Sequence, residues 1–217
     1  MAAFDLEEQE QISQIKGWWE QFGTLVTGAA VAAALASVGW QGWQWYQGKQ
    51  TAEASALYAV LQKAASEKNT QKSREAAGAL IEKYNGTAYA DMAALLSAKV
   101  QAEAGDLKNA RVPLAWAATK ASDPALRELA RLRLATVMFD DKAYDEALAQ
   151  LQTAPDESLA ARFADLKGDI LVAQGKKEEA RAAYKTVVSS LESATKAESV
   201  TLREIAQAKL DAVGEIG

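Results

Sequence analysis

The sequence predicts an all-α protein: one apolar N-terminal helix followed by an array of paired helices. Three observations carry this. Residues 21–48 contain no charged side chain. Only 3 prolines occur in 217 residues that are otherwise rich in Ala, Leu, Glu, Lys and Gln, the residues that cost a helix least. Beyond Gly48, a pattern of small and bulky residues recurs with spacings of 37 and then 33 residues, the period of a two-helix repeat.

The charge-free run is the first element. Its central stretch FGTLVTGAAVAAALASVG (Phe22 to Gly39) mixes six strongly apolar side chains with six alanines. A helix rises about 1.5 Å per residue, so Trp19 and Trp40 lie about 32 Å apart, close to the thickness of a hydrocarbon core. Trp18 and Trp19 then mark one membrane interface, and Trp40, Trp43, Trp45 and Tyr46 the other, because indole and phenol rings favour the headgroup region. A transmembrane helix over residues 22–46 is expected, after a short acidic segment 1–21 and before a folded domain 47–217.

Two rivals are weighed against that span. The small residues of ALAS (34–37) resemble a signal-peptide cleavage site, but FDLEEQE (4–10) is acidic where such a signal is basic. An amphipathic surface helix needs charges on one face, and the run has none. Orientation stays open, since Lys16 on one side balances Lys49 on the other. Thr24, Gly28, Ala32 and Ala36 recur every four residues as a stripe against which another helix can pack closely, although an Ala-rich run presents small residues on several faces.

The repeats follow. GDLKNARVPLAWA (105–117), KAYDEALAQLQTA (142–154) and GKKEEARAAYKTV (175–187) align with Ala110, Ala147 and Ala180 at one register. Leu114, Leu151 and Tyr184 come four residues later, and Ala117, Ala154 and Val187 three beyond those. Twelve residues before each alanine stands another small residue: Ala98, Ala135 or Gly168. Small residues on both helices let the pair approach, and bulky ones fill the flanks. This register resembles the tetratricopeptide repeat. Gly105-Asp106 and Gly175-Lys176 mark turns within pairs; Asp123-Pro124 and Ala154-Pro155 mark breaks between them. An earlier, worn copy spans 54–68 and 73–84, with Ala76 or Ala77 expected in the alanine register. The segment 199–213 is amphipathic, with Leu202, Ile205, Ala206, Leu210 and Val213 on one side, and suits a C-terminal capping helix. The fold expected is a tetratricopeptide-like helical solenoid behind a single transmembrane helix.

Composition excludes several chemistries. There is no Cys and no His, which removes disulfides, thiolate nucleophiles and the commonest metal ligand and general base. A net charge of −5 offers no field for phosphate, so nucleic acid is not an expected partner. Asp140-Asp141 and Glu178-Glu179 are carboxylate pairs at turns or helix starts, where they face solvent and the helix dipole. EKNTQKSR (67–74) reads as a solvated basic loop. Gly168-Asp169 lacks the strand and further glycines of a phosphate loop. Trp116 either anchors a bound peptide or fills the gap to the next repeat, with core packing favoured. Tyr144 and Tyr184 are expected to pack in the repeats. No catalytic, cofactor-binding or metal residue is expected, nor a small-molecule substrate.

The acidic start, the helix ending in aromatics and the repeat domain together resemble the YfgM-type ancillary subunits of the bacterial Sec translocon. The strongest local match is ARFADLKGDILVAQGKKEEARAAYKTVV (161–188), followed by 127–152 and 86–110. The resemblance implies an inner-membrane protein with a cytoplasmic N-terminus and a periplasmic repeat domain. It also implies a non-enzymatic adaptor role beside the translocon channel, with a prolyl-isomerase-like folding factor and secreted clients as partners. The alternative is a scaffold for another envelope or respiratory membrane complex.

Overall fold

The computed structural model describes the backbone of residues 2–215 and the side chains of residues 11–214. The acidic stretch 4–10, expected to open the N-terminal segment, lies outside the described side chains. Among the described residues there are nine helices and no strand. They are α1 (Ala2–Ser66), α2 (Thr70–Lys83), α3 (Ala88–Glu103), α4 (Leu107–Lys120), α5 (Pro124–Asp140), α6 (Tyr144–Gln150), α7 (Glu157–Ala173), α8 (Lys177–Ser190) and α9 (Ala197–Glu215). The chain forms two compact units, residues 1–50 and 51–217.

In the second unit, neighbouring helices pair through one recurring turn. Lys68, Gly105, Lys142 and Gly175 all adopt left-handed backbone, with φ of 54°, 80°, 59° and 74°. After each, the next N–H reaches back to a carbonyl of the preceding helix: Asn69 to Ala64, Asp106 to Gln101, Ala143 to Met138, and Lys176 to Leu171, all at 2.8–2.9 Å. This is the Schellman closure of a helix C-terminus. Glycine adopts it without a steric penalty; Lys68 and Lys142 adopt it too, so a residue type alone does not mark the turn.

The turn sets the register. Five residues after each left-handed position stand Ser73, Ala110, Ala147 and Ala180, all fully buried. The first copy is therefore corrected: Ser73 takes the alanine position, and Ala77 falls where the later copies carry Leu114, Leu151 and Tyr184. Its partner on the preceding helix is Leu61, where the later copies carry Ala98, Ala135 and Gly168, and Leu61 and Ala77 share one core cluster.

The expected basic loop 67–74 is corrected as well. Asn69 accepts the Lys72 N–H at 3.0 Å, so α2 begins at Thr70. Asp106, Asp123 and Asp156 cap α4, α5 and α7 through their side chains in the same manner.

A further departure concerns α6. It has 7 residues where α2, α4 and α8 each have 14. Pro155 disfavours helical backbone at the residue before it, so Ala154 lies past the helix end and is exposed instead of packing like Ala117 and Val187. The four residues missing from the last repeat interval come from this helix. Its shortness lets α5 meet α7 directly through Ala135, Phe163, Leu166 and Ile170 in one apolar cluster.

Candidate interaction surfaces

The N-terminal unit presents apolar side chains outward. Leu25, Val31, Leu35 and Val38 are all more than half exposed, and one window of this helix is long and apolar enough to cross a membrane. The aromatic residues cluster at its two ends. Trp18 stacks at a tilt on Trp19 and Phe22, with centroids 6.3 and 5.7 Å apart, and Trp40 does so on Trp43 at 5.4 Å. Lys49 Nζ lies 5.8 Å over the Trp45 ring, and Gln50 donates to the Tyr46 hydroxyl at 2.8 Å. Gly28 has open space where a Cβ would stand. Thr24, Gly28, Ala32 and Ala36 follow one another by a turn along the exposed helix, and Val31 borders the same shallow depression as Thr24 and Gly28.

In the repeat unit the segment ADLKGD (164–169) acquires a specific structural role. Gly168 is buried, and a Cβ there would stand 2.7 Å from Cδ1 of the Tyr184 ring, so the ring occupies the space of the missing side chain. The Tyr184 hydroxyl donates to Asp169 at 2.8 Å. One turn earlier, Asp165 faces the same side. Lys209 of α9 donates to both carboxylates, at 2.9 Å to Asp165 Oδ1 and 2.7 Å to Asp169 Oδ1, and lies over the Tyr184 ring. The cluster ties α7, α8 and the final helix together.

The charges within it are unevenly served. Burial raises the Asp165 pKa, against the lowering effect of Lys209 and with a further rise from neighbouring Asp169. Burial lowers that of Lys209, but hydrogen bonds and charge from two carboxylates outweigh it, and the net direction is up. The lysine thus gains from the arrangement, while Asp165 bears the desolvation. Burial, then the Asp169 hydrogen bond, also raises Tyr184 far above its ordinary range.

Carboxylates also tie successive repeats. Buried Asp91 on α3 accepts the Ser122 N–H at 2.9 Å, and Glu128 on α5 accepts the Asp156 N–H at 2.8 Å. Burial raises the Asp91 pKa despite the lowering effect of backbone donors at Ser122 and Asp123. Arg111 on α4 bridges Asp141 at 2.7 Å and Glu146 at 3.2 Å. The Asp140-Asp141 pair is thus not simply solvated: Asp141 joins two repeats, and burial raises the Asp140 pKa. Glu178 and Glu179 lie in the first turn of α8.

The chain matches the family model described as a tetratricopeptide repeat-like domain over residues 16–215. A protein of Haemophilus influenzae named "Ancillary SecYEG translocon subunit" is 34% identical over 213 residues, 96% of this chain and 98% of its own length. One of the same name from Neisseria gonorrhoeae is 30% identical over 212 residues, 97% and 99% of the two chains. This chain belongs to the ancillary SecYEG translocon subunit family. A third relative of that name, from Escherichia coli, is 35% identical over 106 residues, 49% of this chain and 52% of its own.

As a member of that family, the chain carries tetratricopeptide-like repeats. Ala98, Ala110, Ala135, Ala147 and Ala180 are buried with Gly168. Among the described residues no group of three or more His, Cys, Asp or Glu side chains is placed to hold a metal ion. Several depressions mark its repeat surface. One, of about 1000 Å³, opens between the starts of α7 and α9, beside Leu159, Leu202 and half-exposed Ile205. Ile205 therefore leaves the apolar side expected for it, while Ala206, Leu210 and Val213 keep theirs. A second, of about 200 Å³, lies between α3 and α5 beside Lys99, Arg133 and Asp140. A third, of about 260 Å³, lies among α2, α3 and α4 and includes Trp116.

Sequence reading missed the Lys209 cluster. Asp165 and Asp169 stand four residues apart, hence on one helix face, but their lysine partner is 40 or more residues away, and nothing local points to it.

Proposed function

We propose that this protein is a single-pass adaptor of the bacterial inner membrane that holds its repeat domain beside the Sec channel. Residues 1–21 lie in the cytoplasm, 22–46 span the bilayer and 47–217 form the periplasmic domain. Trp18 and Trp19 sit at one interface, and Trp40, Trp43, Trp45 and Tyr46 at the other. The domain binds a prolyl-isomerase-like folding factor and secreted chains as they emerge, and it performs no catalysis. The observation that carries this reading is likeness over nearly the full length of relatives named ancillary SecYEG translocon subunits, in a chain with an exposed apolar helix. Helical repeats bind proteins along extended surfaces, which suits a partner-holding role.

Topology is tested through introduced cysteines, which the native chain lacks. A membrane-impermeant maleimide added from the periplasmic side should label Lys176→Cys and spare Gln14→Cys; the reverse pattern overturns the orientation. Crosslinking in native membranes should recover the Sec channel. Recovery of a respiratory or other envelope complex without the channel would favour a scaffold elsewhere. The stripe of Thr24, Gly28, Ala32 and Ala36 packs against a partner helix. Gly28→Leu with Ala32→Leu should therefore lower channel recovery several-fold, while Ala30→Leu, on the other side of the helix, leaves it unchanged.

A further inference from the structure

The chain has three asparagines, Asn69, Asn85 and Asn109, and the fold treats them differently. Asn69 caps α2, its side-chain oxygen accepting the Lys72 N–H at 3.0 Å. Asn109 lies in the first turn of α4 and donates from Nδ2 to Asp106 at 2.7 Å. Asn85 stands exposed between α2 and α3, and exposed Gly86 follows it. Among the described residues the Asn85 side chain has no hydrogen-bond partner, and neither does the Gly86 N–H.

The turn around this pair is closed by its neighbours. Tyr84, the C-cap of α2, offers its carbonyl to the Thr87 N–H at 2.9 Å and to the Thr87 hydroxyl at 2.7 Å. Thr87 is buried and is the N-cap of α3. Tyr84 and Thr87 thus hold the ends of a four-residue turn, and Asn85 and Gly86 fill its two central places. The backbone does not demand glycine there: among the described glycines, left-handed backbone is confined to Gly105 and Gly175. Packing does not demand it either, since a Cβ on Gly86 would meet nothing within 4 Å. What the missing side chain does is leave the Gly86 amide nitrogen open to close approach.

That nitrogen becomes a nucleophile when it loses its proton, and the nearest electrophile is the side-chain amide carbon of Asn85. Attack of Gly86 N on Asn85 Cγ closes a five-membered succinimide ring and expels the side-chain nitrogen as ammonia. Water then opens the ring at either carbonyl. Opening at Cγ leaves aspartate on an ordinary backbone. Opening at the main-chain carbon leaves isoaspartate, in which the chain runs through the former side chain. The balance is one water taken up and one ammonia lost, with no oxidant, reductant or other co-reactant. Either product adds a carboxylate to a chain whose net charge is already −5. Gln41, Gln47 and Gln174 also precede glycines, but their longer side chains must close a six-membered ring, which forms more slowly.

We propose that the turn between α2 and α3 is a site of spontaneous deamidation, in which Asn85 and Gly86 pass through a succinimide to aspartate and isoaspartate. The isoaspartyl form adds one backbone carbon between Tyr84 and Thr87, the residues whose hydrogen bonds close the turn. It therefore loosens the joint between the first and second repeats, while plain aspartate leaves that closure intact. The proposal concerns the repeat unit alone and does not depend on which membrane complex holds the protein.

The test incubates the full chain in detergent micelles at about pH 7 and about pH 8, beside the peptide acetyl-Tyr-Asn-Gly-Thr-amide. Tryptic fragment 84–99, which holds Asn85 and no other asparagine, should gain about one dalton as nitrogen is exchanged for oxygen. Isoaspartyl methyltransferase should label the same fragment, while those with Asn69 and Asn109 stay unchanged. Conversion should be several-fold faster at the higher pH, because the deprotonated nitrogen is the attacking species. Hydroxylamine, which attacks the ring, should cut the chain into 1–85 and 86–217. Gly86→Ala should keep the helical signal and slow conversion by about tenfold or more, since a methyl group then crowds the attacking nitrogen. The isoaspartyl chain should melt at a lower temperature than Asn85→Asp. Conversion more than about tenfold slower than in the free peptide means that the turn holds Asn85 away from Gly86, and it overturns the proposal. So does conversion at Asn69 or Asn109 as fast as at Asn85, or an unchanged rate in Gly86→Ala. Equal melting of the isoaspartyl and Asn85→Asp chains overturns the loosening of the joint. Channel crosslinking is read separately, so failure here leaves the adaptor reading standing.

Discussion

At one place between paired helices, the first and last repeats fill the same space in opposite ways. The first sets Leu61 on its leading helix and Ala77 on its second, both buried. The last sets Gly168 on the leading helix and Tyr184 on the second, with the ring lying where the glycine has no side chain. Between them, Ala98 with Leu114 and Ala135 with Leu151 follow the second arrangement in milder form. Close packing constrains the summed volume at the crossing and leaves its division between the helices free.

Exchange of sizes is the strongest test of that comparison. Leu61→Ala leaves a small residue on both helices of the first repeat, and truncation of a buried leucine costs about 2–5 kcal/mol. Adding Ala77→Leu gives the first repeat the pattern of the middle ones and should restore a substantial part of the loss in a chemical-denaturation experiment. If the double variant is no more stable than the single one, the two positions do not share a volume.

In the last repeat the same logic runs in reverse. Gly168→Ala forces the Tyr184 ring away and should cost about 1–3 kcal/mol, the range for an overfilled core. Tyr184→Leu in the same chain recreates the Ala and Leu pairing of the middle repeats, and the two changes together should cost less than their sum. Strict additivity in a double-mutant cycle would show that ring and glycine do not meet.

The last repeat also carries a charge cluster with no counterpart in the first. Lys209→Met leaves Asp165 and Asp169 facing each other without a cation. Breaking a fully buried pair costs several kcal/mol, but these groups are partly exposed, so about 1–2 kcal/mol is expected. The folded pKa of Lys209 is raised above its ordinary 10.5. Its contribution is therefore complete below that value and is lost as pH rises through the raised one. Tyr184, raised from 10.0, acts in the same direction. Thermal midpoints should fall above about pH 10 in the native chain, and less steeply in Lys209→Met. Equal slopes would remove the lysine from the account.

The smallest effect separates two carboxylate pairs of similar appearance in the sequence. Asp141→Ala removes the ion pair with Arg111 between repeats and should cost up to about 1 kcal/mol. Changing Glu178 and Glu179 together to alanine should stay within about 0.5 kcal/mol, as for ordinary surface sites. Equal losses would mean that Asp141 gains nothing from Arg111.

These contrasts show where sequence reading reached and where it stopped. The register of Ala110, Ala147 and Ala180 was legible because helix periodicity repeats small residues at fixed intervals. The first copy was misread because Ser73 hides the small position and Lys68 forms a turn that glycine forms elsewhere. The end of α6 was half legible: Ala154-Pro155 marked a break, but the pattern carried Ala154 into a helix that ends at Gln150. Trp116 was singled out without the recess it lines, because Gly78 and Gln101 reach that place from two other helices.

What the amino-acid order determined by itself is local. The charge-free run, the aromatic clusters at its ends, the helical propensity and the small-residue period each depend on neighbours within a few turns, where geometry follows from residue spacing. What only the tertiary structure decided joins distant residues: the placing of Lys209 between Asp165 and Asp169, the exchange of Leu61 and Ala77, and the gathering of Gly78, Gln101 and Trp116 around one opening. Their physical reason is shared. Each depends on how volumes and charges from separate helices meet, and side-chain packing and desolvation have no value until the helices are brought together.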